Sequence, residues 1–537
     1  MSRKLCLVFL LLLALYLTYP VWLHPSEFLL RADVPEFPGD FLLYRSYVVH
    51  FQNFFLGESP LGSLEHGYYP DGVSCADAEC SPMFAVPAGL LSFAAGPVGA
   101  LNLLMVLFVF LSGVALFLLA REFMGQRAAL VSAALFLTSN YFLAEMMDGH
   151  LNLLQFFWMI LSFLFLERLL KGDGEEKWWL NPVLLGLALV GQAYASTQYL
   201  LFLALMLPLY LLLRNPKTLK DKEFWKGAGL VVIVFAVFAL PYLLNFTGGQ
   251  AKERNLAENM FFSVGLPGNE FSYPLLNIRY AFSAFAPVYI LLPLLFAGGV
   301  LLLSKKVRVW QLPFLVLALL AFILSLGPIS PAAPYYFLYR FVPFFSSMRT
   351  PSRFYLFVVL FLSLIGGGII DEVEKKLGKI EIESLPVVGL LATILVLSLF
   401  SPYAAAHYTV PISDFEADGL YEYLGTLPEG TVVEYPNLYN CEYLYHAEIH
   451  GKPLLGGCAA FPPDSYYAFI ESCGIELLSL PSADCRDRVR EHGIRYVVYH
   501  SERYESGFEE FIFQQPGLGL LAESGTYYLF EVLPDEF

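Results

Sequence analysis

The chain has 537 residues, of which 57% are hydrophobic and only 15% are charged, and its mean hydropathy is +0.59. A soluble core cannot bury so many long apolar runs, so this composition excludes a soluble globular protein and indicates a polytopic membrane protein. The net charge of −16 excludes a nucleic-acid-binding protein, which needs a basic surface.

The amino terminus carries Arg3 and Lys4, followed by a long apolar run that ends in bulky residues near Leu23. Because this run lacks a small-residue cleavage site, we predict an uncleaved first transmembrane helix that starts on the inner side of the membrane. The next segment, 24–98, is predicted to be a long first outer loop.

Asp40 is the acidic residue of this loop that we consider functional. Pro38 and Gly39 predict a bend just before it, and the aromatic and apolar run 41–55 that follows predicts an amphipathic helix in the membrane interface. Asp40 is then either a carboxylate held at the membrane surface as a general base or the N-cap of this helix.

Further apolar runs predict the other transmembrane helices, about eleven in all, with lengths that suit a hydrocarbon core of about 30 Å. They lie near residues 99–119, 128–144, 151–168, 181–196, 199–213, 228–245, 284–303, 310–327, 351–370 and 385–401. Lys and Arg are concentrated in the loops that this arrangement places inside, which predicts a cytoplasmic amino terminus and an outer carboxyl terminus.

The short loop between the third and fourth predicted helices carries Glu145, Asp148, His150 and Asn152. In so short a loop these groups are expected near the membrane surface, where acidic groups and a histidine can bind a divalent metal or a phosphate-bearing cation. Alternatively, Asp148 acts as a general base or orients one, or the loop is simply solvated and caps its helices.

Basic residues on the predicted outer side form two groups. Arg340, Arg349 and Arg353 lie among aromatic residues before the tenth predicted helix, and a guanidinium group matches phosphate oxygens as well as lipid headgroups. The second group, in the loop 246–283, comprises Lys252, Arg254 and Arg279.

The segment 402–537 predicts a small α/β domain outside the membrane. Short β-type runs such as 431–435 alternate with Gly and Pro, and 484–492 predicts a short helix that Gly493 ends before a strand over 494–499. We find no Walker, Rossmann or zinc-ligand spacing in this domain.

All cysteines except Cys6 fall in segments that we place outside the cytoplasm, as expected for an oxidising compartment. Cys75 and Cys80 are a plausible local disulfide pair. The last four cysteines allow three pairings, among which the sequence does not choose; they are Cys441, Cys458, Cys473 and Cys485.

This layout resembles the GT-C superfamily of membrane glycosyltransferases, which includes oligosaccharyltransferase catalytic subunits, protein mannosyltransferases and aminoarabinose lipid A transferases. The shared features are the inner amino terminus, the acidic residue early in a long first outer loop, the second acidic group between the third and fourth helices, and an outer carboxyl-terminal domain. The turn 69–72 and the stretch 348–354 look like those of prokaryotic members, including YfhO-like proteins. The resemblance covers the predicted membrane domain, residues 1–401.

The resemblance implies transfer of a sugar from a polyprenyl-phosphate carrier to a lipid, glycan or protein acceptor on the outer face of a prokaryotic plasma membrane. It also implies that Asp40 takes the acceptor proton or positions the acceptor. Asp148, with Glu145 and His150, then matches the second acidic group, which in metal-dependent members helps to hold a divalent cation, Mg²⁺ or Mn²⁺.

Arg349 or Arg353 would, by the same resemblance, stabilise the phosphate leaving group as charge develops on it. The chain departs from the family pattern in two respects, because it has no Asp-x-Asp in the second acidic loop and no WWDYG-type signature in the outer domain. The first departure leaves the use of a metal open, and the second argues against N-linked oligosaccharyl transfer.

Two other functions compete with the glycosyltransferase. A transporter or flippase for lipid-linked sugars would place ionisable groups within its helices and show inverted repeats, whereas the predicted helices are nearly free of charge and no repeat is visible. A catalytically inactive scaffold protein would use its outer domain to bind a partner, with Asp40 and Asp148 far apart or facing lipid.

Overall fold

A computed structural model describes the chain over residues 2–31, 40–64, 67–172, 178–244, 310–328, 330–348, 350–377, 408–411, 419–435, 441–458, 462–474, 482–501, 512–515 and 517–533. The helices are α1 (Arg3–Leu17), α2 (Phe41–Leu56), α3 (Pro82–Arg121), α4 (Gln126–Leu137), α5 (Asn140–Met147), α6 (Phe156–Lys171), α7 (Leu180–Ala195), α8 (Thr197–Arg214), α9 (Lys222–Leu244), α10 (Gln311–Ser325), α11 (Pro334–Phe341), α12 (Tyr355–Leu377), α13 (Leu420–Thr426), α14 (Cys441–His450), α15 (Asp464–Cys473) and α16 (Ala483–Glu491).

The strands are β1 (Phe28–Arg31), β2 (Ser63–Leu64), β3 (Val73–Ser74), β4 (Tyr408–Pro411), β5 (Thr431–Tyr435), β6 (Ile494–His500), β7 (Leu518–Ser524) and β8 (Tyr527–Val532), and short 3₁₀ turns cover Pro216–Lys220, Phe345–Ser347 and Pro351–Phe354. The chain divides into two compact units. The first unit comprises Met1–Leu23, Leu103–Pro241 and Ala251–Tyr408, and the second comprises His24–Asn102, Tyr242–Gln250 and Thr409–Phe537.

Several helices are long and apolar enough to cross a membrane, so the chain is an integral membrane protein. Within the described ranges these are Pro82–Arg121, Thr197–Arg214, Lys222–Leu244 and Pro351–Glu372, and the bent pair α4–α5 makes a fifth. The shorter apolar helices α7 and α10 fall on predicted spans, whereas the predicted spans 284–303 and 385–401 lie outside the described residues. The number of about eleven therefore remains a prediction.

The predicted boundaries need two corrections. Helix α3 begins at Pro82, so residues 82–98, which we predicted to belong to the first outer loop, are helical and join the next predicted span across a break at Gly96 (φ 71°). The predicted span 128–144 is divided into α4 and α5, because Thr138 ends the first helix and Ser139 caps the second. The predicted domain boundary at residue 402 stays a prediction.

Small residues let the helices of the first unit approach closely. A Cβ atom added at Gly367 on α12 would lie 1.9 Å from the Ser132 side chain on α4, and one added at Gly368 would lie 2.7 Å from the Trp310 ring. Aromatic rings fill the space between the helices, and Phe314 stacks on both Tyr210 and Phe361 with centroids 5.4 and 5.6 Å apart.

The second unit contains a four-stranded sheet of order β5-β6-β8-β7, in which β5 and β6 are parallel and the other pairs are antiparallel. The predicted strand over 431–435 and the helix and strand on either side of Gly493 are confirmed. Helix α2, which begins directly after Asp40 as predicted, packs against α14, where Arg45 pairs with Glu448 and covers the Tyr445 ring at 4.4 Å.

Three disulfides cross-link this unit. The predicted pair Cys75–Cys80 is confirmed, with Cα atoms 5.2 Å apart. The four later cysteines form one of the three possible pairings, Cys441–Cys458 and Cys473–Cys485. Such bonds persist in an oxidising environment, as expected for an outer compartment.

Candidate functional site

A break between two helices of the first unit shapes the acidic loop. The Ser139 side chain accepts a hydrogen bond from the Phe142 amide at 3.3 Å, which starts α5 at a new angle after α4 has ended. Helix α5 ends at Met147, two residues after Glu145, and Gly149 has a positive φ of 74° that reverses the chain. As a result the His150 amide donates to the Glu145 carbonyl at 3.1 Å.

This reversal also joins the two side chains. His150 Nδ1 lies 2.5 Å from Glu145 Oε2, and the glutamate side chain is 9% exposed while the histidine side chain is 23% exposed. A carboxylate beside Nδ1 fixes the tautomer in which that nitrogen carries a proton and points Nε2 away from the pair. A carboxylate and an imidazole are costly to place among apolar helices, and such ionisable residues are usually functional.

Arg353 is held in place by the aromatic core. It lies in the 3₁₀ turn Pro351–Phe354, whose last residue stacks on Phe202 of α8 with ring centroids 3.8 Å apart. Its Nη1 donates to Gln198 Oε1 at 2.5 Å, and Gln198 Nε2 donates in turn to the Thr350 carbonyl at 3.2 Å. Gln198 therefore fixes the guanidinium relative to the start of α8.

Two tyrosines connect these groups. The Tyr141 and Tyr199 hydroxyls lie 3.2 Å apart, and both side chains and Glu145 are close enough to Arg353 to interact with its charge. We call this set the polar cluster; it consists of Tyr141, Glu145, His150, Gln198, Tyr199 and Arg353. It combines one carboxylate, one imidazole and one guanidinium within the first unit.

The structure thus brings together Glu145, His150 and Arg353 from the predicted site. Asp148, at the carboxyl end of α5, is exposed. Arg349 lies outside the described residues. The second group of basic residues also lies outside the described residues; it comprises Lys252, Arg254 and Arg279.

Asp40 belongs to the second unit and is half-buried at the N-cap position of α2. Its backbone carbonyl accepts from the Tyr44 amide at 3.0 Å, but its carboxylate makes no capping hydrogen bond to the helix. The carboxylate is therefore not used as a cap, and its role as a general base stays a prediction.

Sequence reasoning missed Tyr141, Gln198 and Tyr199. The polar stretch 191–198, where α7 ends and α8 begins, was the available indication, because amide and hydroxyl groups at the ends of two apolar helices are unusual. Tyr141 gave no indication, since aromatic residues are abundant throughout this chain.

The predicted Mg²⁺ or Mn²⁺ at Glu145 and Asp148 fits the described residues poorly. Both ions prefer several oxygen ligands, whereas Glu145 is engaged with a histidine. Among the described residues, one set of three histidine, cysteine or acidic side chains has its potential ligand atoms within 4.8 Å of one another. This set lies in the second unit and comprises Glu434, His446 and His500. A metal at the acidic loop remains a prediction without a third described ligand.

Comparison with known proteins gives a partial match to one family and a shared fold. The sequence model of the family described as dolichyl-phosphate-mannose-protein mannosyltransferase matches residues 91–241. None of the curated protein sequences compared with the chain matches it.

Solved structures resemble the chain over nearly its whole length. The apo oligosaccharyltransferase of Archaeoglobus fulgidus is 12% identical, with a TM-score of 0.58 over 97% of this chain and 74% of that one. Apo ArnT from Cupriavidus metallidurans is 13% identical, with a TM-score of 0.54 over 98% of each chain. The arabinofuranosyltransferase AftD from Mycobacteria is 13% identical, with a TM-score of 0.61 over 99% of this chain and 42% of that one. The chain therefore has the fold of the membrane glycosyltransferases of the GT-C superfamily, as its sequence resemblance predicts.

Proposed function

We propose that this protein is a glycosyltransferase that moves a sugar from a polyprenyl-phosphate carrier to an acceptor on the outer face of a prokaryotic plasma membrane. The polar cluster is the observation that carries this proposal, because it places a guanidinium beside a carboxylate–imidazole pair among apolar helices. The fold supports it, as does the matched family, whose description names a dolichyl-phosphate sugar. The oligosaccharyltransferase of Archaeoglobus fulgidus has also been solved with dolichol-phosphate and an inhibitory peptide.

The reaction is a displacement at the anomeric carbon of the sugar. An acceptor oxygen forms a bond to that carbon while the bond from carbon to the phosphate oxygen breaks. The electron pair leaves with the polyprenyl phosphate, and the acceptor proton passes to Asp40, the predicted general base. The acceptor is a lipid, a glycan or a protein.

Negative charge develops on the departing phosphate, and the polar cluster supplies cationic donors for it. Arg353 offers a planar fork whose position Gln198 fixes. His150, whose Nδ1 faces Glu145, donates through Nε2 when it is protonated. Arg349 is the further predicted phosphate ligand.

The test uses purified protein in liposomes with radiolabelled lipid-linked sugars, including dolichyl-phosphate mannose, and acceptors extracted from the source membranes. We expect Asp40→Asn to abolish transfer and Arg353→Gln to lower it by about 10²–10³-fold, as when one preorganised donor to a developing charge is removed. Arg340→Gln is the matched control, because Arg340 lies on the nearby helix α11 but is exposed.

Full activity of the Asp40 variant would remove that residue from the mechanism. Equal activity of the Arg353 and Arg340 variants would remove the phosphate-binding role from the polar cluster. Movement of labelled lipid-linked sugar across the bilayer without release of polyprenyl phosphate would instead indicate a transporter. Absence of both reactions would favour the scaffold.

A further inference from the structure

The second unit contains a buried set of groups that the proposed transfer reaction does not use. Glu434 on β5 lies opposite Val498 on the parallel strand β6, and His500 is two residues further along β6 on the same face. Helix α14 adds His446 to this face, and α13 adds Tyr421. Separate elements of the fold thus converge on one point beneath the sheet.

The donor atoms are close together. Glu434 Oε2 lies 3.1 Å from His446 Nδ1, 2.8 Å from His500 Nε2 and 2.8 Å from the Tyr421 hydroxyl. Four ligands around zinc at bond lengths of about 2.0–2.1 Å lie about 3.4 Å from one another. The ligand atoms of Glu434, His446 and His500 all lie within 4.8 Å of one another, so side-chain adjustment alone can bring them around one ion. All four side chains are between 0% and 1% exposed.

The surroundings also suit a cation. Glu442, which is 3% exposed, lies with its Oε1 3.7 Å from His446 Nε2. A carboxylate behind the second nitrogen of a histidine is the usual outer partner of a metal-bound imidazole. Two buried carboxylates in one cluster carry up to two negative charges, which a divalent ion balances.

We propose that Glu434, His446 and His500 bind a structural Zn²⁺ ion, with the Tyr421 hydroxyl at the fourth position. Two imidazoles and one carboxylate are donors typical of zinc, and too few oxygens are present for Mg²⁺ or Ca²⁺. Full burial leaves no open position for a substrate, so the ion stabilises the fold of this unit. His450, one turn along α14, is excluded because its Nδ1 accepts from the Lys452 amide, so its Nε2 carries the proton.

The competing explanation is a hydrogen-bond network without a metal ion, since the Tyr421 hydroxyl and both imidazoles can donate hydrogen bonds to Glu434. Metal analysis separates the two. Full-length protein purified without chelator should contain about one zinc ion per chain, and His446→Gln and His500→Gln should lose it. His492→Gln should keep it, because His492 is a buried histidine of the same unit whose Nδ1 contacts the Arg488 carbonyl.

Chelation tests the same site without a mutation. Treatment of the wild-type protein with 1,10-phenanthroline should lower its unfolding temperature, and Zn²⁺ but not Mg²⁺ should restore it. Wild-type protein without zinc whose unfolding temperature does not respond to added Zn²⁺ would overturn the proposal. Equal zinc content in the His500 and His492 variants would overturn it as well.

Discussion

The contact between α6 and α7 makes a quantitative prediction about how tightly the first unit is packed. A Cβ atom added at Gly191 on α7 would lie 2.4–2.6 Å from three atoms of the Trp158 indole on α6, whereas ordinary contact begins at 3.4 Å. The rigid ring would have to move by 0.8–1.0 Å, which is the difference between these distances. Overpacking of this kind costs about 1–3 kcal/mol.

Gly229→Ala on α9 is the matched control, because a Cβ atom there meets nothing within 4 Å. Both substitutions gain the same helix propensity of about 1 kcal/mol, so the free energies of unfolding of the two variants should differ by the clash alone, about 1–3 kcal/mol. Thermal unfolding in detergent measures this difference. Trp158→Phe should rescue Gly191→Ala in a double-mutant cycle. A Gly191 variant as stable as the control would refute the close packing of these helices.

Two further predictions concern pH. Burial lowers the pKa of His450 to about 4 from 6.5, so the unfolded chain binds this proton first as the pH falls. Stability should therefore fall by about 3 kcal/mol between pH 6.5 and pH 4. In thermal unfolding, His450→Asn, which keeps an acceptor for the Lys452 amide, should lose less stability over this pH range than the wild type, and parallel stability-against-pH curves would contradict this. Burial alone would raise the pKa of Glu122, but hydrogen bonds from Lys171 and Arg168 outweigh burial and lower the pKa of this carboxyl. The ionised carboxylate therefore stabilises the fold above about pH 4.5 and ceases to do so in acid. The loss of unfolding free energy caused by Glu122→Gln should shrink as the pH falls below that value, and a loss that does not change with pH would refute the ion pairs.

The local elements of the second unit follow from sequence because their determinants are local. The apolar run 41–55 after the bend predicted at Pro38 and Gly39 indicated the helix that starts after Asp40, and Gly493 predicted the junction of α16 and β6. Each depends on backbone preferences within a few residues. The start of α3 did not follow from sequence, because the apolar run before Gly96 was assigned to the outer loop although it is helical up to that glycine.

The candidate sites depend on contacts that no spacing reveals. Glu145 and His150 were predicted as a group because they are five residues apart, but the partnership of Arg353 with Gln198 joins residues 155 positions apart. The buried set around Glu434 was missed for the same reason, since its ligands are 12 and 66 positions away. A search for zinc-ligand spacing finds ligands within one hairpin or helix, and these come from two strands and a helix.

Two buried carboxylates of the first unit should separate structural from catalytic roles. Glu167 accepts from the Tyr210 hydroxyl at 2.6 Å and from Arg214 at 2.9 and 3.1 Å, so Glu167→Gln should lower the free energy of unfolding by about 1–3 kcal/mol and leave turnover per folded molecule unchanged. Glu145→Gln keeps an acceptor for His150 but removes the charge that favours the imidazolium. Loss of a charge-assisted hydrogen bond of about 1.5–3 kcal/mol corresponds to a fall in turnover of about 10–100-fold, with little change in unfolding temperature. If both variants lose stability and neither loses turnover per folded molecule, the carboxylate–imidazole pair is a packing feature, and the phosphate must be stabilised by other groups.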